Sequence, residues 1–124
     1  MSEEFQTDKI VVVLNHDDNL SVMAALVMGA AVAATGDQVL MFFQPGAAKV
    51  LVNGGLEKYQ GLKGHPDPLE LMDAIQVLEG RVILCELGLP YCDLTEEDLI
   101  AEVEVMTAPG FLFEAEGAKM TFCY

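Results

Sequence analysis

The stretch Lys9-Ile10-Val11-Val12-Val13-Leu14 opens on one charge and continues through five apolar residues, four of them β-branched. β-Branched side chains favour extended backbone. An apolar run without alternation implies a strand covered on both faces, the situation of a parallel strand inside an α/β sheet. The polar segment Asn15-His16-Asp17-Asp18-Asn19 follows, and Asp17, Asp18 or Asn19 can cap a helix. Leu20 to Thr35 then reads as a helix ending at Gly36 in the position after its C-cap. That helix is apolar nearly all round and rich in small residues, so both of its faces are expected to be covered.

The same alternation of strand and helix continues to the C-terminus. Gln38 to Phe43 reads as the second strand, and Gln44-Pro45-Gly46 turns into a short helix reaching about Val52. Asp67-Pro68-Leu69-Glu70 is a helix start, with Asp at the N-cap, Pro at the first position and Glu at the third. This helix is expected to run to Glu79 and to end at Gly80. The third strand is Val82 to Cys85. Thr95 is expected to cap a further helix, with Leu94 stapled onto Leu99. A short strand over Val103 to Met106, a helix over Pro109 to Glu116 and a last strand over Ala118 to Phe122 complete the pattern. Strands alternating with helices predict a three-layer α/β/α domain, residues 1–124, around a mostly parallel sheet of about five strands. The topology is Rossmann-like, but no glycine-rich phosphate loop follows the first strand, so a dinucleotide or P-loop site is not expected.

Composition narrows the partners. Twenty acids against six Lys and Arg leave a net charge of −14 in 124 residues. Thirteen of those acids lie between Asp67 and Glu116, where Arg81 is the only base. Such a field repels phosphate backbones, so no nucleic-acid partner is expected, and it disfavours anionic substrates at exposed sites. Hydrophobic residues make up 52% of the chain and the mean hydropathy is +0.36. The longest apolar stretch, Leu20 to Ala34, is broken by Ser21 and Gly29 and falls short of the roughly 20 residues a membrane span needs. Burial between subunits is the expected outlet for the excess, and a homo-oligomer is expected. The acidic start Met1-Ser2-Glu3-Glu4 lacks the basic n-region of a signal peptide. With three cysteines, an odd number, the expectation is a cytoplasmic protein with reduced thiols.

Cys85 is the leading chemical candidate. It ends a buried strand, and in a parallel sheet the carboxyl ends of the strands are where ligands bind. A thiol there, facing the first turn of the next element, is a nucleophile candidate, because a helix N-terminus favours the thiolate. The alternative is a small hydrophobe finishing a strand. Cys92 lies seven residues on and is a candidate auxiliary thiol, although Asp93, Glu96, Glu97 and Asp98 crowd it with negative charge. Cys123 reads as packing. His16, Asp17 and Asn19 after the first strand, with Glu86 after the third, are the expected pocket residues at the same edge. Helix capping explains the first three more simply, and no ligand spacing supports a metal, so neither metal nor cofactor is expected.

The order and spacing of Val11–Leu14, Ala24–Gly36, Gln38–Phe43, Cys85 at a strand end, Glu96–Ile100, Glu102–Val105 and Met120–Phe122 resemble the DsrE/DsrF-like family, nearest its peroxiredoxin-like DsrE-type branch. The resemblance covers almost the whole chain. It implies an α/β/α domain assembling into trimers or hexamers. It also implies sulfurtransferase-like relay of sulfane sulfur as a cysteine persulfide between donor and acceptor proteins. Cys85 matches the family's strand-end cysteine, and Cys92 approximately matches its second. The segment after Cys85, Glu86-Leu87-Gly88-Leu89-Pro90-Tyr91, departs from the family's helical, methionine-bearing pattern. The expectation from a different class is a non-catalytic oligomeric scaffold or small-ligand binder using the same edge.

Overall fold

A computed structural model describes residues 7–124. Five strands form one all-parallel sheet in the order β4-β3-β2-β1-β5. They are β1 (Lys9–Leu14), β2 (Gln38–Phe43), β3 (Arg81–Cys85), β4 (Val103–Met106) and β5 (Met120–Cys123). Helix α1 (Asn19–Ala34) joins β1 to β2, and α2 (Pro68–Val77) precedes β3. A single turn, α3 (Gly88–Tyr91), follows β3, and α4 (Ala108–Glu114) crosses from β4 to β5. The expected α/β architecture and parallel sheet are what the chain adopts.

The strands show why their sequences are apolar without alternation. Ile10, Val12 and Leu14 of β1, Val39, Met41 and Phe43 of β2, and Val82 and Leu84 of β3 face the large cluster beneath α1 and α2. Their alternates Val11, Leu40, Phe42, Ile83 and Cys85 face the other side, where Phe111 of α4 covers them. The layers are unequal. Among the described residues, α4 is the one helix packed into that second cluster, and it leaves Leu112 and Phe113 exposed at 69% and 78%. Its ring contact is direct: Phe111 stacks on Phe42 with centroids 4.1 Å apart.

Two of the few basic residues anchor α4. Arg81 donates to Glu104 of β4 at 2.7 and 2.9 Å and to Glu114 at the end of α4. Lys9 Nζ donates to the carbonyls of Glu114 and Glu116 at 2.7 and 3.0 Å, placing a cation at the carbonyl end of the helix. Glu104 is held below the usual carboxylate range by its hydrogen bonds from Arg81.

Local signals resolve as follows. Asp18 is the cap of α1, accepting from the Ser21 amide at 3.0 Å. These hydrogen bonds hold its carboxyl below the ordinary value. Gly29 permits the close crossing of α1 over β2, since a Cβ there would meet Met41 Sδ at 2.7 Å. In the single chain α1 leaves Leu20 and Val27 exposed. Asp67 caps α2 through the Leu69 amide at 2.9 Å, but the helix ends at Val77, two residues early. Glu79 takes the left-handed position at φ 70°. Gly80 is there for space, because a Cβ would lie 2.7 Å from both Ile75 Cγ2 and Val39 Cγ1.

The helix expected after Thr95 does not form. Asp98 Oδ2 accepts from the Thr95 amide at 2.8 Å and from its hydroxyl at 3.3 Å, giving one 3₁₀ turn over Glu96–Asp98. Tertiary pairing then extends the chain: Leu99 bridges to Val52, and the Ile100 amide donates to Leu51 O at 2.9 Å. The staple from Leu94 to Leu99 therefore has no helix to join. The other shifts are small: the helix after Pro45 is a 3₁₀ segment over Pro45–Leu51, α4 begins one residue early, and β5 ends at Cys123.

Candidate functional site

The carboxyl ends of β1, β2 and β3 release three segments that together wall a cleft. Asp17 comes from the β1–α1 loop, Pro45, Gly46 and Lys49 from the segment after β2, and Tyr91 and Cys92 from the end of α3. The cleft encloses about 380 Å³, within the roughly 300–1,000 Å³ typical of small-molecule sites.

Its walls are fixed by specific contacts. The Gly46 amide donates to Asn15 Oδ1 at 3.0 Å, and a Cβ on Gly46 would lie 2.0 Å from Asn15 O. Only glycine lets these two loops touch. The Asn15 amide in turn donates to Tyr124 O at 2.9 Å. Tyr59, buried beneath the loop, donates its hydroxyl to Asp17 O at 2.7 Å. Burial raises the Tyr59 phenol above its ordinary value, and the charges of Asp17 and Asp18 add to the effect. On the far wall, Gly88 lets α3 sit against the Pro45–Leu51 segment, where a Cβ would come within 3.0 Å of Ala48 Cβ. This packing sets Cys92 against Pro45: its half-buried thiol donates to Pro45 O across 3.9 Å.

The structure separates the two candidate thiols. Val82 and Leu84 point to the side of α1 and α2, so Cys85 points to the opposite side, into the Phe42–Phe111 cluster. It is 4% exposed and faces away from α3 instead of toward the turn that follows it. Cys92 packs against the other cluster and opens into the cleft. Of the expected pocket residues, Asp17 lines the cleft. His16 lies exposed on the same loop, Asn19 is exposed at the first position of α1, and Glu86 is exposed with its amide donating to Met106 O at 2.8 Å. None of these three is among the cleft's lining residues. Cys123 is exposed at the end of β5. Among the described residues, no three His, Cys, Asp or Glu side chains gather into a metal-binding group, and no helix is long and apolar enough to cross a membrane.

Lys49, Tyr91 and the Pro45–Gly46 floor were not singled out from sequence. The signal for them was present: Gln44-Pro45-Gly46 follows β2 at the same carboxyl edge, and Lys49 is the one charge between Gln38 and Asn53.

The fold and cleft define an all-parallel α/β protein with a thiol near the carboxyl edge of its sheet. No protein-family model matches the chain, and no curated protein matches it in sequence. Solved structures do share the fold. The YchN protein of E. coli is 14% identical, superposes with a TM-score of 0.75, and is aligned over 96% of this chain and 100% of its own. MTH1491 of Methanobacterium thermoautotrophicum, a protein of unknown function, is also 14% identical, with a TM-score of 0.74 over 94% of this chain and 99% of its own. At this identity the likeness establishes the fold.

Proposed function

We propose that the protein is a sulfur carrier of the DsrE/DsrF-like kind, holding sulfane sulfur as a persulfide on a cysteine at the carboxyl edge of its sheet. The observation that supports this reading is the placement of Cys92: a free, half-buried thiol opening into a walled cleft that Lys49 also lines. The thiolate is the reactive form. It attacks the outer sulfur of a donor R–S–SH, forming the Cys92 S–S bond as the donor's S–S bond breaks. The donor leaves as R–S⁻, and the transferred sulfur keeps its proton. Cys85, the position matched by the family resemblance, is buried in the same apolar cluster as Phe111, away from the cleft.

Intact-mass measurement after incubation with a sulfane-sulfur donor tests the reading. One reductant-sensitive sulfur is expected on the native chain, lost in Cys92→Ser and retained in Cys85→Ser and Cys123→Ser. Loss in Cys85→Ser with retention in Cys92→Ser moves the carrier to the strand-end thiol, and no adduct at all refutes the reading. The alternative of an oligomeric scaffold draws support from the exposed Leu112 and Phe113 on α4. Self-association is compatible with either function.

A further inference from the structure

Resting on the carrier reading, we propose that the cleft takes its sulfur from a zwitterionic, amino-acid-sized persulfide, with Lys49 receiving the donor's carboxylate and Asp17 its ammonium. A cationic and an anionic side chain line the same cleft as the thiol. Among the described residues neither forms an ion pair, with the other or with any further side chain. Of the other five Lys and Arg, three are engaged elsewhere, and Lys58 and Lys63 form no ion pair among the described residues. Arg81 is paired with Glu104 and Glu114, Lys119 with Asp8, and Lys9 with the carbonyls ending α4. Lys49 and Asp17 line one cleft with the thiol, a set of charges that suits a ligand carrying both signs.

The field of the whole molecule supports the same class. At a net charge of −14, a donor carrying only a carboxylate is repelled on approach, and an ammonium on the same molecule offsets that repulsion. Opposite charges at its two ends then find complementary partners inside the cleft. The cleft volume of about 380 Å³ admits a molecule of amino-acid size. The floor is rigid, because Gly46 abuts Asn15 and Tyr59 holds the Asp17 backbone. The Pro45 carbonyl orients the Cys92 thiol. The step remains the balanced exchange above, with R an amino-acid side chain: Cys92–S⁻ and R–S–SH give Cys92–S–SH and R–S⁻. No further oxidant or reductant enters.

The test compares three hydropersulfides: cysteine's, which carries both charges, 3-mercaptopropionate's, which carries only the carboxylate, and cysteamine's, which carries only the ammonium. Quenched intact mass follows sulfur gain at Cys92. Each rate is normalised to that donor's reaction with a free small-molecule thiol. The cysteine donor is expected to be fastest. Lys49→Gln should slow the cysteine and mercaptopropionate donors about two- to fivefold, the worth of an exposed ion pair, and leave the cysteamine donor unchanged. Asp17→Asn should slow the cysteine and cysteamine donors and spare the mercaptopropionate donor. Equal normalised rates for the three donors, or substitutions that shift all three alike, overturn the donor assignment while the carrier reading survives. No sulfur on Cys92 from any donor overturns both.

Discussion

Phe111→Ala is expected to unmask Cys85 without unfolding the protein. Phe111 is 4% exposed, stacks within 9° of parallel on Phe42, and shares one apolar cluster with Cys85. Truncating a buried phenylalanine to alanine costs about 3–5 kcal/mol, of which the ring pair accounts for about 0.5–1.5 kcal/mol. A domain of this kind is stable by about 5–15 kcal/mol, so the substituted chain stays folded over most of that range. The loss falls on the docking of α4, which the sheet holds chiefly through this ring and the Arg81 and Lys9 contacts. Local opening of α4 therefore becomes roughly 150- to 5,000-fold more frequent. The assay is iodoacetamide labelling of Cys85 in a Cys92→Ser/Cys123→Ser background, read by peptide mass, alongside urea melts. The melts should show a lower midpoint and an unchanged slope. The reasoning is refuted if Cys85 beneath an intact Phe111 labels as fast as an unfolded cysteine. It is equally refuted if Phe111→Ala lowers stability but leaves the labelling rate where it was.

Gly46→Ala is expected to destabilise the fold by about 1–3 kcal/mol, the cost of forcing atoms into a filled space, because its Cβ would lie 2.0 Å from Asn15 O. Sulfur uptake at Cys92 should fall with it, whereas Gly36→Ala, strained by its φ of 91° but outside the cleft, should lower stability and leave uptake by the folded chain unchanged in the same mass assay. Tyr59→Phe removes the hydrogen bond to Asp17 O and should cost about 0.5–1.5 kcal/mol in urea melts. Glu104, depressed by Arg81, contributes stability that is present above its unfolded pKa and is lost as pH falls through its lower folded value. Acid titration of stability should show this loss in the native chain and not in Arg81→Met. Light scattering should give a trimer or hexamer, and Leu112→Ser/Phe113→Ser should reduce its mass to that of a monomer. A native monomer would end the oligomer proposal.

The helix caps were legible because their mechanism is local. Asp67 and Pro68 start α2 as their types require, and Asp18 is one of the residues named for α1. The signal at Thr95 was equally local and failed, because Leu99 and Ile100 gain more by pairing with Val52 and Leu51 than by continuing a helix. Of the candidate site, the edge of the sheet and Asp17 were readable. Lys49 was legible only as the one charge of an apolar segment at that edge, and that it lines the same cleft as Asp17, 32 residues earlier, came from the tertiary structure.

Taken alone, the sequence determined the parallel α/β class. Continuous apolar runs such as Ile10–Leu14 can be satisfied only by a sheet covered on both sides. The same two-sided burial erased the alternation that would have revealed which way each strand residue points. Val82, Ile83, Leu84 and Cys85 are all buried, so their order along the chain does not say which side α4 covers. Tertiary structure decided that. It turned Cys85 under Phe111 and, by seating Gly88 against Ala48, brought Cys92 to the cleft with Asp17 and Lys49.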